Sequence, residues 1–269
     1  MDLKGKTVLL TGASGGIGQV IAQRLSDEGA KLIITARNVQ KMASLKDKPG
    51  MQTIAVAADI TTQEGRCAVV EATQEHGVDI VVHNAGTMDF GLLSEQAAED
   101  LERMAQLNLM TPILLTRQLL PLLQNNRESA LVFIGSTFGS IGHPGFVMYC
   151  ATKFGLRGFA EGLRRELANT SVTVHYLAPR ATKTDLNTSA VVELNESIGN
   201  AMDAPSVVAD ELVSLLNARK GVNRYIGWPE KLFVRINSLL PGIVDNALAK
   251  KLATIRRFAK PQKPSHIGG

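Results

Sequence analysis

Short apolar runs rich in valine and isoleucine recur between longer stretches of helical spacing over most of this 269-residue chain. They are Thr7 to Leu10, Lys31 to Thr35, Gln52 to Ala57, Asp79 to His83, Ala130 to Gly135 and Val172 to Leu177. Runs that are apolar throughout, without alternation, suit strands covered on both faces, as in a parallel sheet between two helix layers. Ile17 to Glu28, Thr62 to His76, Ala98 to Asn125 and Tyr149 to Leu167 read as the intervening helices. The pattern predicts one α/β domain with a doubly wound parallel sheet and helices on both faces. Ligands in such a sheet are expected at the carboxyl ends of the strands.

Composition agrees with a globular domain: 45% of residues are hydrophobic and 20% charged, and the 24 glycines follow no three-residue period. Two cysteines, Cys67 and Cys150, are too few for a disulfide scaffold and lack metal-ligand spacing. A reducing, cytoplasmic setting and no metal are therefore expected. The apolar stretch near the N-terminus is four residues long and runs into a glycine turn, unlike a secretory signal. Leu107 to Leu123 is interrupted by Thr111, Thr116, Arg117 and Gln118, so no spanning helix is expected. Net charge is +4, but the segment from Glu230 onward holds eight basic and two acidic residues, which leaves the body at −2. A slightly acidic body with 4% aromatics does not suit nucleic acid.

The first run is followed at once by Thr11-Gly12-Ala13-Ser14-Gly15-Gly16-Ile17-Gly18, which opens the first helix. Glycines there let the backbone turn tightly and approach a pyrophosphate, whose charge then meets free amides at the positive helix end. The spacing departs from G-x-G-x-x-G, so the cluster alone is weak evidence and a plain strand-to-helix turn is its bland alternative. An NAD site of this kind places an acidic residue on the ribose diol about 20 positions further on. None stands there. The second run ends Ala36-Arg37-Asn38, and the planar guanidinium of Arg37 could grip a 2′-phosphate, which favours NADP(H) over NAD(H).

Tyr149 and Lys153 sit four apart at a helix start and share a face, and Ser136 lies at the end of a strand thirteen residues before the tyrosine. A tyrosine of pKa about 10 is a poor acid-base catalyst near neutrality; a neighbouring ammonium would stabilise the phenolate and lower that value.

With the glycine turn, these residues resemble the single-domain short-chain dehydrogenase/reductase family, over roughly Leu3 to Ile226. Asp59-Ile60, Asn84-Ala85-Gly86, Asn108, and Pro179 with Thr184 match further motifs of that family. The resemblance implies a Rossmann-type sheet of about seven strands and hydride transfer between a nicotinamide and a carbonyl or alcohol. It implies that Tyr149 exchanges the proton, Ser136 bonds the substrate oxygen, Lys153 binds the nicotinamide ribose and Asn108 holds a water of the proton relay. Gly12, Ser14, Gly15, Gly16, Ile17, Gly18, Arg37, Asp59, Ile60, Asn84, Ala85, Gly86, Pro179, Thr182 and Thr184 would then contact the cofactor, together with Tyr149 and Lys153. A homodimer or homotetramer is the implied assembly. Intact Ser136, Tyr149 and Lys153 argue against a non-catalytic nucleotide sensor.

Three positions depart from the family pattern. His83 reads as a strand-end packing variant, and Cys150 as a packing thiol turned about 100° from Tyr149. Arg180, where glycine is usual, could disturb the turn, reach an acidic group on a substrate, or point outward. Substrate choice is expected in Thr87 to Ser94, Thr137 to Met148 and Asp185 to Ala204. The middle loop is mostly apolar and suggests a hydrophobic substrate, with His143 at its rim, and the third loop reads as a lid.

Residues 1–228 read as the nucleotide-binding catalytic domain and 229–269 as a basic amphipathic extension. In it, Leu232, Ile236, Leu239, Ile243 and Leu252 belong to a helical apolar pattern broken at Pro241-Gly242. Such a segment could lie on an anionic membrane, giving a peripheral enzyme for a lipid, acyl or steroid-like substrate, or dock on a sister subunit. Pro261 to Gly269 reads as a disordered end.

Overall fold

The computed structural model describes residues 1–37, 40, 42, 45, 50–218 and 220–259. Asn38 and the expected disordered end lie outside the described residues. Seven parallel strands form one sheet in the order β3-β2-β1-β4-β5-β6-β7. They are β1 (Thr7–Thr11), β2 (Lys31–Ala36), β3 (Thr53–Ala57), β4 (Ile80–His83), β5 (Ser129–Ile134), β6 (Val172–Ala178) and β7 (Asn223–Tyr225). Every residue of β1, β4 and β5 is buried, as expected of unbroken apolar runs, whereas edge strand β3 is only half-covered. The six expected strands are all present. The seventh, Asn-Arg-Tyr, is too short and polar to stand out as an apolar run.

Successive strand side chains point to opposite faces, and each face has its own helices. Val8, Leu10, Leu32 and Ile34 pack beneath α1 (Gly16–Asp27) and α7 (Pro205–Leu216). Leu9, Ile33, Val81, Leu131 and Phe133 pack beneath α2 (Gln63–His76), α4 (Thr111–Gln124) and α5 (Val147–Glu166). The stretch read as one helix from Ala98 to Asn125 is α3 (Ala98–Ala105), a π-helical segment at Gln106–Met110, and then α4. Such a bulge re-aims side chains locally, and here it contains the buried Asn108.

The loop expected as a lid contains α6 (Ser189–Ser197), whose Thr188 cap accepts from Val191 N. The C-terminal extension forms α8 (Glu230–Leu239) and α9 (Pro241–Ala259), separated where Pro241 was expected to break it. Ile255 of α9 is fully buried with Phe146, Cys150, Val191 and Leu194, so this helix walls the site at the strand ends.

Candidate active site

The strand order reverses between β1 and β4, and the glycine turn lies at that reversal. Gly12 has φ +67°, and a Cβ there would come within 2.7 Å of Ala85 Cα. At Gly18 a Cβ would sit 2.1 Å from Gly12 O. Thr11 Oγ1 accepts from the amides of Asn84 (3.0 Å) and Ala85 (3.1 Å), and Asn84 Nδ2 donates to Thr11 O and Gly12 O. The turn is thereby fastened to the end of β4. No side chain caps α1 at Gly15, so its first amides face an adjoining groove of about 350 Å³.

Gly12, Ser14, Gly15, Gly16, Ile17, Gly18, Arg37, Asp59, Ile60, Asn84, Ala85, Gly86 and Thr184 all line that groove. Arg37 is exposed at the end of β2. Asp59 Oδ1 accepts from Thr61 N and Thr61 Oγ1, and these bonds, with the Arg37 charge, hold its carboxyl below the usual range.

A second cavity, of about 530 Å³, continues from the first through shared walls at Ile17, Asn84, Gly86 and Thr184. Ser136, Tyr149, Lys153, Pro179 and Thr182 line it. Burial pushes the Tyr149 pKa up to about 12, with a Ser136 hydrogen bond pulling the other way. Lys153 Nζ lies 5.6 Å from the centroid of the Tyr149 ring and donates to Ile134 O at 3.0 Å. Its own burial lowers its pKa to about 8. In this state desolvation dominates, and the lowering of the tyrosine pKa expected from the lysine is not seen. Asn108 lies behind the wall: its Oδ1 accepts from Thr87 N, its Nδ2 donates to Thr87 O, and Oδ1 would be 3.2 Å from a Cβ on Gly86.

Tyr176 on β6 was not singled out from the sequence. Its hydroxyl accepts from Ser136 N at 3.2 Å and also reaches Ser136 O and Lys153 O. Its ring fills the space that side chains on Gly135 and Gly139 would take. Two glycines flanking the serine were the available signal.

His83 stacks on Phe133 at 4.9 Å between ring centroids and bonds Thr116 Oγ1, a packing role; burial lowers its pKa to about 3. Cys150 is likewise structural, with Sγ accepting from His143 N. His143 is not a rim residue. It is buried in the cavity wall against Phe138 and Phe146, with Nδ1 bonded to Pro144 O. Arg180 neither points outward nor is free for an acidic substrate group. Its Nε and Nη2 grip both oxygens of Asp203, and Nη1 pairs with Glu230, tying the loop after β6 to the start of α8. Among the described residues, no cluster of His, Cys, Asp and Glu is placed to hold a metal, and no helix is long and apolar enough to cross a membrane.

A family model described as short chain dehydrogenase matches residues 6–194, most of the chain. The chain belongs to the short-chain dehydrogenase/reductase family. This dehydrogenase is an NAD(P)-dependent oxidoreductase acting on CH–OH groups. It is 35% identical over 188 residues to a 3-oxoacyl-[acyl-carrier-protein] reductase of Vibrio cholerae, covering 69% of this chain and 77% of that one. The corresponding reductase of Rickettsia bellii is 36% identical over 199 residues, covering 74% of this chain and 81% of that one. The crystal structure of a 3-ketoacyl-(acyl-carrier-protein) reductase from Brucella melitensis, complexed with NADH, superposes with a TM-score of 0.79 at 29% identity. That match covers 85% of this chain and 99% of the other. A short-chain dehydrogenase from Streptomyces avermitilis gives a TM-score of 0.78 at 26% identity, covering 93% of this chain and 96% of that one.

Proposed function

We propose that the chain is an NADP(H)-dependent reductase of a ketone on a hydrophobic, acyl-type molecule, of the 3-oxoacyl thioester class. The observation that carries this reading is the joining of two cavities at shared walls, one bearing the glycine turn and Arg37, the other Ser136, Tyr149 and Lys153. The residues fit a dinucleotide: Gly12 and Gly18 let the backbone close a tight turn, since a Cβ there would meet Ala85 Cα or Gly12 O, and the uncapped α1 amides suit a pyrophosphate. No carboxylate ends β2 to take a ribose diol, and the Arg37 fork suits a 2′-phosphate. Asp59 and Ile60 would flank the adenine, and Thr182 and Thr184 the nicotinamide half.

A reduced nicotinamide bound there would supply hydride chemistry for a carbonyl substrate. Tyr149, kept protonated by burial, gives its proton to the substrate oxygen. Ser136 Oγ accepts from Phe138 N, and its proton, which bonds the Tyr149 oxygen here, would turn to that same substrate oxygen. Lys153 would hold the ribose, and its positive charge stabilises the tyrosinate left behind. The apolar wall of Phe138, Phe146, Val191 and Leu194 excludes water and accepts a hydrocarbon chain. The 3-oxoacyl class is supported by the names of the relatives, and a homodimer or homotetramer by the family resemblance.

Tyr149→Phe is the direct test, with NADPH oxidation measured against 3-oxoacyl thioesters and simple ketones. The rate is expected to fall by roughly 10²- to 10⁴-fold. An unimpaired variant would overturn the assignment of the proton donor, and turnover of simple ketones alone would remove the acyl class.

A further inference from the structure

Helix α8 buries one side chain, Val234, and leaves most of its remaining apolar residues exposed. Leu232, Phe233, Leu239 and Leu240 face solvent, as does Ile243 at the start of α9. Leu239 is 80% exposed, and Trp228, just before the helix, 70%. Scattered surface leucines are ordinary, whereas six large apolar side chains between positions 228 and 243 are a patch. Leu232, Arg235 and Leu239 stand at i, i+3 and i+7 and so share an outward stripe.

The patch reaches the active site, because Trp228 and Phe233 also line the 530 Å³ cavity. Its unpaired charges are mainly positive. Lys231 and Arg235 are exposed and make no ion pair among the described residues, while Glu230 is turned onto Arg180. Only Asp245 adds an exposed carboxylate to α8 and α9.

We propose that this face docks on an anionic lipid surface, with the α8–α9 elbow seated in the headgroup region. Apolar side chains beside unpaired cations are what such a surface takes up: hydrocarbon for the leucines and headgroup charge for Lys231 and Arg235. A second copy of the chain fits less well, since a two-fold contact through this face would oppose like charges. Docking would bring the cavity mouth to the bilayer, where Trp228 and Phe233 form the threshold for an apolar substrate. The docking stands on the exposed face and not on the assigned reaction, so its readout is binding.

Cosedimentation with phosphatidylglycerol/phosphatidylcholine vesicles, and with phosphatidylcholine alone, tests it on the full chain. The parent protein is expected to pellet with the anionic vesicles. Leu239→Glu with Leu240→Glu should lower the partition coefficient by about tenfold or more, while Leu93→Glu, at an exposed leucine elsewhere, should leave it unchanged. Lys231→Gln with Arg235→Gln should weaken binding by about tenfold and removes reliance on the leucine pair should that variant misfold. Failure of the parent to bind overturns the proposal, as does binding unaffected by both double variants. Loss of a lipid-free dimer in the leucine variant, seen by sedimentation velocity, would assign the face to a second copy instead.

Discussion

Replacing Lys153 with methionine should abolish turnover and yet stabilise the ligand-free protein near neutral pH. The ammonium is buried in the cavity wall, and desolvation lowers its pKa from 10.5 to about 8. The folded state therefore disfavours the charged form, whereas the unfolded chain keeps it in water. Below pH 8 this mismatch costs the fold about 3 kcal/mol. The cost shrinks as pH rises from 8 to 10.5 and is gone above that, where the amine is neutral in both states. Methionine has similar length and no charge, but it cannot donate to Ile134 O, and an unpaired carbonyl there costs about 1 kcal/mol. The net expectation at pH 7 is a gain of about 2 kcal/mol, or about 4 °C in Tm for a chain of this size. Melting curves of parent and variant without nucleotide, at pH 7 and pH 10.5, measure it directly. A variant less stable than the parent at pH 7, or a Tm difference that does not change with pH, would refute the reasoning.

Arg37→Ala should weaken NADPH binding by about 1.5 to 3 kcal/mol and leave NADH nearly unchanged, as read by nucleotide fluorescence titration; equal losses would reject the 2′-phosphate contact. Tyr176→Phe removes the hydroxyl that accepts from Ser136 N. It should lower kcat by about tenfold with little change in KM, because a serine that is no longer held bonds the developing oxyanion poorly; an unchanged kcat would show that Ser136 needs no such support. Gly18→Ala forces a Cβ to within 2.1 Å of Gly12 O, so the variant should lose several degrees in Tm together with nucleotide binding, and a parent-like melt would mean the turn can yield.

The site was legible where chemistry and local spacing coincide. Tyr149 and Lys153 are one helical turn apart, so their proximity is a property of α5 itself. The glycine turn follows from its place between a strand and a helix, and all of its expected residues line the groove. Tyr176 was not legible, because a tyrosine in a buried strand reads as core. It touches Ser136 only through the pairing of β5 with β6, which aligns Phe133 with Tyr176 and Ile134 with Leu177. His143 and Arg180 were misplaced for a related reason. What surrounds a loop side chain is set by elements distant in sequence, here Lys251 of α9 near the histidine and Asp203 and Glu230 around the arginine.

From its sequence alone this chain specifies a doubly wound sheet, the glycine turn and the shared face of Tyr149 and Lys153 on one helix, since apolar periodicity, glycine placement and i, i+4 spacing are local properties. Tertiary structure alone decided three things. It set the protonation of the site, because burial depends on what covers Tyr149 and Lys153. It placed α9 as a cavity wall, through Ile255 beneath Phe146 and Leu194. It also left the apolar stripe of α8 uncovered, since amphipathic spacing says that a face is apolar but not what, if anything, packs against it.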